Sequence, residues 1–284
     1  MEKEITKVLK YFAIFAYHPT LDEIHTFLRV KTNKQKLKYT PPQYSIKEVK
    51  NLELKIKNSE NKLNNWRFRA YIKLISIFPQ IKLVGLSGSI SMMNATEDDD
   101  IDLFIITAKN RLFTGRLIAL VLAQILGLRR SRERFRDSAT QIFHKNKVCL
   151  NLFFDESNLK VPKFKQTEFV GHEVLQMKPI IVKDNIYERF LEANRWVYEL
   201  FPNGKSKSQI LNLKSQIKLK RFKFKILNLF GTWNLGFRIF NKVESLLKKL
   251  QLTLINRHRT TEVVTSSQLW FHPDDFEKKI RKTL

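Results

Sequence analysis

Gly88 and Ser89 are followed, after ten intervening residues, by Asp100 and Asp102 at the head of an apolar run, in the stretch GSISMMNATEDDDIDLFII. The chain holds 8 glycines and 10 aspartates in 284 residues, yet Gly85 and Gly88 fall within four positions and Asp98, Asp99, Asp100 and Asp102 within five. Scarce residues clustered in this way point to chemistry. A glycine turn with free backbone N–H groups and a serine hydroxyl beside it suits the oxygens of a polyphosphate. Strand side chains repeat every two residues, so Asp100 and Asp102 share one face while Ile101 and Leu103 pack on the other. Two carboxylates so placed repel each other unless a cation lies between them. Mg²⁺ (or Mn²⁺), which binds through one or two carboxylates and takes its remaining oxygens from water and phosphate, meets that demand. Glu97, Asp98 and Asp99 read instead as a solvated acidic turn.

These residues need elements to hold them. The β-branched run Ile81–Leu86 reads as a buried strand that delivers the chain into Gly88, and Ser89 suits the N-cap of a short helix through about residue 94. A strand follows from Asp100. Residues 112–128 are apolar with Arg116 and Gln124 inside them, at the short limit for a membrane span, and read as a helix buried on the sheet. Residues 148–156, VCLNLFFDE, form another strand, in which Cys149 takes a buried apolar place.

The Gly-Ser pair, a spacer near ten residues and Asp-x-Asp between hydrophobic positions resemble the DNA polymerase beta-like nucleotidyltransferases, matched here by Gly88, Ser89, Asp100, Ile101 and Asp102. More loosely, the whole chain looks like uncharacterised bacterial and archaeal proteins that carry this domain between helical segments. The resemblance implies an α+β fold, with a small mixed β-sheet core, helices on one face of it, and mainly helical regions on either side. It implies two divalent metals and transfer of a nucleoside monophosphate from a triphosphate such as ATP to an acceptor hydroxyl on a protein, an RNA or a small molecule. It also implies a third carboxylate from a nearby strand, where this chain offers Asn151, with Asp155 four residues on as a minor candidate. A basic residue usual after the Gly-Ser turn is replaced by Ser91, Met92 and Met93, so Lys109, Arg111 or Arg116 would supply phosphate contacts. If Asn151 holds the third position, a catalytically degenerate nucleotide or nucleic-acid binder is the alternative.

The rest of the chain divides into three expected regions: a helical segment over 1–80, a transferase core over 81–160 and a helical basic segment over 161–284. In the first, residues 2–17 have helical periodicity, Pro19 breaks it, and Thr20 with Glu23 makes a capping box opening a helix over 21–30. A longer helical pattern covers 45–78. This order suits a winged-helix module, which keeps a DNA-binding regulator open as a reading. In the third, helices are expected over 168–177 and 185–200, with His172 and Glu173 as helix polar residues and a turn at 201–204. Phe271 to Asp275 suit a turn and N-cap for a last helix.

Composition bounds the partners. With 52 Lys and Arg against 27 Asp and Glu, the net charge of +25 attracts polyanions through long-range fields and counterion release. Residues 205–259 carry 14 basic side chains and one Glu, with Trp233 and several phenylalanines interleaved. A nucleic-acid groove, an amphipathic helical pair and an anionic membrane surface all fit that pattern. Five arginines in 129–136 could hold nucleic acid or triphosphate, or simply coat a loop. One cysteine excludes an internal disulfide, and residues 1–17 lack a signal-peptide pattern, so the cytoplasm is the expected location and an integral membrane protein is not expected.

Overall fold

A computed structural model describes residues 1–37, 39, 45–129, 146–204, 233–257, 261–271 and 280, with backbone alone over 233–240. The chain is α+β. Among the described residues its sheet has six strands in the order β4-β1-β2-β3-β6-β5: β1 (Ile81–Leu86), β2 (Ile101–Thr107), β3 (Val148–Asp155), β4 (Lys178–Val182), β5 (Val263–Val264) and β6 (Gln268–Trp270). Among these strands β2 and β3 run parallel, with helix α6 (Leu112–Ile125), numbered in chain order with the helices below, between them in the chain, and the other described pairs are antiparallel.

The alternation of β2 decides what each face does. Ile101, Leu103 and Ile105 enter one core with α6 and with Phe68, Tyr71 and Ile75 of α4 (Trp66–Ile77). Phe104 and Ile106 enter the other, with α7 (Glu168–Gln176) and α8 (Ile186–Ala193). Helices therefore cover both faces, not the one face that the resemblance implies. A third cluster packs α1 (Glu2–Ala13) and α2 (Leu21–Phe27) against Phe201, with Phe169 and Leu175 of α7 on its edge. Its centre is His172, stacked between Tyr11 at 3.6 Å and Phe27 at 4.0 Å.

Local signals set most boundaries. Thr20 and Glu23 close the expected capping box, Thr20 Oγ1 accepting from Glu23 N while Glu23 accepts from Thr20 N. The 45–78 pattern breaks at Asn65, which ends α3 (Ile46–Asn64) and caps α4 by accepting from Arg67 N. Likewise 185–200 divides into α8 and α9 (Trp196–Leu200) at Asn194, whose buried amide bonds Leu159 O and Phe190 O and accepts from Val161 N. Ser89 is not an N-cap. It lies inside the single turn α5 (Gly88–Ser91), whose N-cap is Ser87.

Two regional expectations change. The segment over 161–284 is not purely helical, because β4, β5 and β6 belong to the sheet; β4, KPIIV, does not alternate, and β5 and β6 hold only two and three residues, too few to show a period of two. Neither do residues 1–80 close a core of their own, since α4 shares its core with the sheet. The arginine cluster beyond Arg129, the basic segment 205–232 and the expected last helix from 272 lie outside the described residues.

Candidate functional site

The turn after β1 and the start of β2 meet in a cavity of about 750 Å³ on the α7 side of the sheet. Gly88, Ser89, Asp98, Asp99, Asp100, Asp102 and Asn151 all line it. Gly88 is held at φ +60°, and a Cβ built there would stand 2.7 Å from Asp102 Oδ2, so the backbone approaches the carboxylate as only glycine allows. Ser89 Oγ donates to Asp99 Oδ2 at 3.1 Å, and the same oxygen accepts from Thr96 N at 2.8 Å. Asp99 is thus a structural cap that fixes Ser89, in keeping with the acidic-turn reading. From behind, Lys62 of α3 clamps the loop: its Nζ, buried under the chain, donates to Glu97 O, Asp99 O and Asn146 Oδ1.

Asn151 does reach the site. Asp102 pairs with Cys149 and Phe104 with Leu152, so β3 spends two residues, Leu150 and Asn151, where β2 spends Leu103 alone. The bulge lies beside Asp102. Asn151 Nδ2 donates to Cys149 Sγ at 2.7 Å, and Cys149 in turn hydrogen-bonds Asp102, a contact that lowers the carboxyl pKa against the stronger push of burial. Cys149 is buried as expected but takes part in this polar chain.

Asp155 does not reach the site. It pairs with Thr107 at the far end of β2, about 17 Å along the sheet from Asp102 at the rise of an extended strand. There it accepts from Arg111 N, Ser157 N and Ser157 Oγ, tying the strand end to the loops around it. The expected phosphate ligands share that end. Lys109 is exposed in the turn after β2, Arg111 Nη1 donates to Asn241 Oδ1, and Arg116 Nη1 donates to Gln251 Oε1 at 2.7 Å with its guanidinium over the Phe271 ring. Positions just C-terminal to an Asp strand are carried away from its first residues by the strand itself.

Three lining residues were hidden from sequence reasoning. Glu173 of α7 places Oε2 3.3 Å from Gly88 N and accepts a hydrogen bond from it, so a carboxyl group of the chain sits on the amide of the turn. Lys55 of α3 and Lys165 bring positive charge to the walls. Lys55 Nζ donates to Ala16 O at 2.8 Å. The adjacent His172 and Glu173 diverge: the imidazole goes into the aromatic cluster, where burial pushes its pKa well below the usual value, and the carboxylate goes to the cavity. Nothing in the local pattern distinguishes the two neighbours; only the packing of α7 does.

The electrostatics follow from this crowding. Burial, then the charges of Glu173 and Asp100, push Asp102 up to about 7. Burial pushes Glu173 up to about 7 as well, against the opposing effect of the Gly88 amide. No group of three His, Cys, Asp or Glu among the described residues stands ready as a complete cation cage. Asp100 and Asp102, neighbouring carboxylates of which Asp102 is buried and feels the charge of Asp100, do, however, fit a Mg²⁺ that completes its shell with water and phosphate. No helix among the described residues is long and apolar enough to cross a membrane. No protein-family model matches the chain, and no curated protein or solved structure does so either.

Proposed function

We propose that the chain is a metal-dependent nucleotidyltransferase that moves a nucleoside monophosphate from a nucleoside triphosphate to a hydroxyl acceptor. The observation that carries this reading is the close approach of the Gly88 turn to Asp102 at the wall of a cavity of small-molecule size. Asp100 and Asp102 would hold the cation, which when bound neutralises triphosphate oxygens and the charge on departing pyrophosphate. The chain's own groups do the rest. Lys55 and Lys165 offset phosphate charge in place of Lys109, Arg111 and Arg116. Apolar wall residues such as Met92, Phe169 and Trp270 give a base or an acceptor a dry surface. Glu173 is the charge that acts most strongly on Asp102, and a carboxyl near pH 7 can accept the proton of an attacking hydroxyl, the role Asn151 cannot fill. A phosphate oxygen bound at Gly88 N must displace Glu173 from that amide.

One observation favours a second reading, a binder without turnover: Asn151 stands beside Asp102 with its amide engaged on Cys149 Sγ. The two readings part in one experiment. The protein is incubated with each α-labelled nucleoside triphosphate and Mg²⁺ or Mn²⁺, with cell RNA, cell protein and small hydroxyl compounds as acceptors, beside an Asp100→Ala/Asp102→Ala variant. Label transfer that the variant lacks supports the transferase and identifies its acceptor class. Metal-dependent triphosphate binding with no transfer supports the binder.

A further inference from the structure

Away from the cavity, the opposite face of the sheet is covered by three helices, α4, α6 and α10 (Trp233–Asn256), with α6 bonded to both neighbours. Tyr71 Oη of α4 donates to Ala119 O, and Glu244 of α10 accepts from Phe113 N and Thr114 N. Each helix buries one side and leaves large apolar residues on another. On α6 the residues against the sheet are Leu112, Ala119 and Ala123, while Leu117, Val121 and Ile125, half a turn round the helix, are exposed. Trp66, Leu74 and Ile77 do the same on α4. On α10 the exposed stripe is Leu246, Leu250 and Leu254, each more than half exposed. Scattered exposed leucines need no explanation, but three adjacent helices each presenting such a row do.

Charge on this layer has one sign. The sequences of α4 and α6 contain no acid, and α10 contains only Glu244, whose oxygens are engaged on the first turn of α6. Arg67, Arg69, Lys242, Lys249 and Arg257 are exposed beside the apolar rows. A nucleic acid would use the cations and leave the leucines in water. An anionic lipid surface uses both, since leucines enter the acyl boundary while Lys and Arg meet the headgroups.

We propose that the outer face of α4, α6 and α10 docks the protein on an anionic bilayer, lying in its interface without spanning it. The cavity, on the other side of the sheet, would then stay open to water. The test uses the full chain in flotation with vesicles of phosphatidylcholine alone or doped with phosphatidylglycerol. Wild type is expected to float with the anionic vesicles only. Leu246→Gln/Leu250→Gln/Leu254→Gln, which keeps every charge, is expected to lower partition by about tenfold or more, because each exposed leucine loses its transfer into hydrocarbon. Should that variant misfold, quenching of tryptophan fluorescence by acyl-brominated lipid, compared between wild type and Trp66→Phe, reads the same contact. Three results would overturn the proposal: no flotation, flotation and Trp66 quenching indifferent to these changes, or a wild-type dimer that the leucine substitutions dissociate, since that places a second copy on the face.

Discussion

At the scale of single residues, Gly88 carries two constraints at once. Its φ of +60° disfavours a side chain, and a Cβ would press on Asp102 Oδ2 at 2.7 Å. Gly88→Ala is therefore expected to cost about 1–3 kcal/mol in urea unfolding and to weaken metal-dependent triphosphate binding, while the same change at an exposed turn would cost less. Asp102 and Glu173 give the opposite sign. Their folded pKa values, about 7, lie above those of the unfolded chain, so the folded state holds these protons more tightly. The resulting stabilisation is full below the ordinary carboxylate range and is lost as pH rises through 7. The melting temperature should fall between pH 5.5 and 8, and Asp102→Asn or Glu173→Gln should raise it by a few degrees at about pH 8 and flatten that fall. Calorimetry across the range checks this; a variant less stable than wild type at high pH would show that the carboxylates are not strained by burial. The Asp pair and the glycine turn were legible because their spacing alone fixes a shared face and a tight bend. Glu173 was not, because only the packing of α7 decides whether residue 172 or 173 meets the cavity.

At the scale of elements, Lys62 ties α3 to the loop that positions the site. A lysine on an amphipathic helix reads as a solvent residue, yet this one is buried, with its pKa lowered chiefly by burial against the pull of the neighbouring acids. Its Nζ satisfies two carbonyls that no strand or helix serves. Lys62→Met removes the charge and keeps the bulk, and should cost about 2–4 kcal/mol by leaving those carbonyls dry. Because Asp99 belongs to the same loop and holds Ser89, the variant should also lose triphosphate affinity, which calorimetric titration at a temperature where it remains folded would measure. The core strands were legible, β1 and β2 as runs with several β-branched residues and β3 as an apolar run around Asn151. β1 takes the expected bounds, β3 ends one residue early and β2 begins one residue later, at Ile101. The strands that complete the sheet were not, since β5 and β6 together hold five residues and draw their stability from β3.

At the scale of the whole molecule, described residues from all three expected regions share hydrophobic clusters, and charge is the largest imbalance of the chain. Cation–acid pairs among the described residues, such as Arg29–Glu168, Lys82–Asp184 and Arg189–Glu156, lie at the surface, where each contributes little. The chain sets 52 basic side chains against 27 acidic ones, a surplus of 25 that pairing cannot remove, so the compact state gathers like charge that the unfolded chain spreads out. Screening should then favour folding. Salt weakens the few attractive pairs as well, but repulsion among a surplus of 25 charges acts over a Debye length of about 10 Å at 0.1 M and outweighs pairs worth about 0–1 kcal/mol each. Raising sodium chloride at neutral pH should therefore increase the melting temperature, with most of the gain at low ionic strength where the screening length changes fastest. A polyanion should do the same at far lower concentration by binding the folded surface. Scanning calorimetry over a chloride series measures the first effect directly. A melting temperature that falls with chloride would mean that attractive pairs dominate, and that the excess positive charge is held far enough apart to cost the fold little.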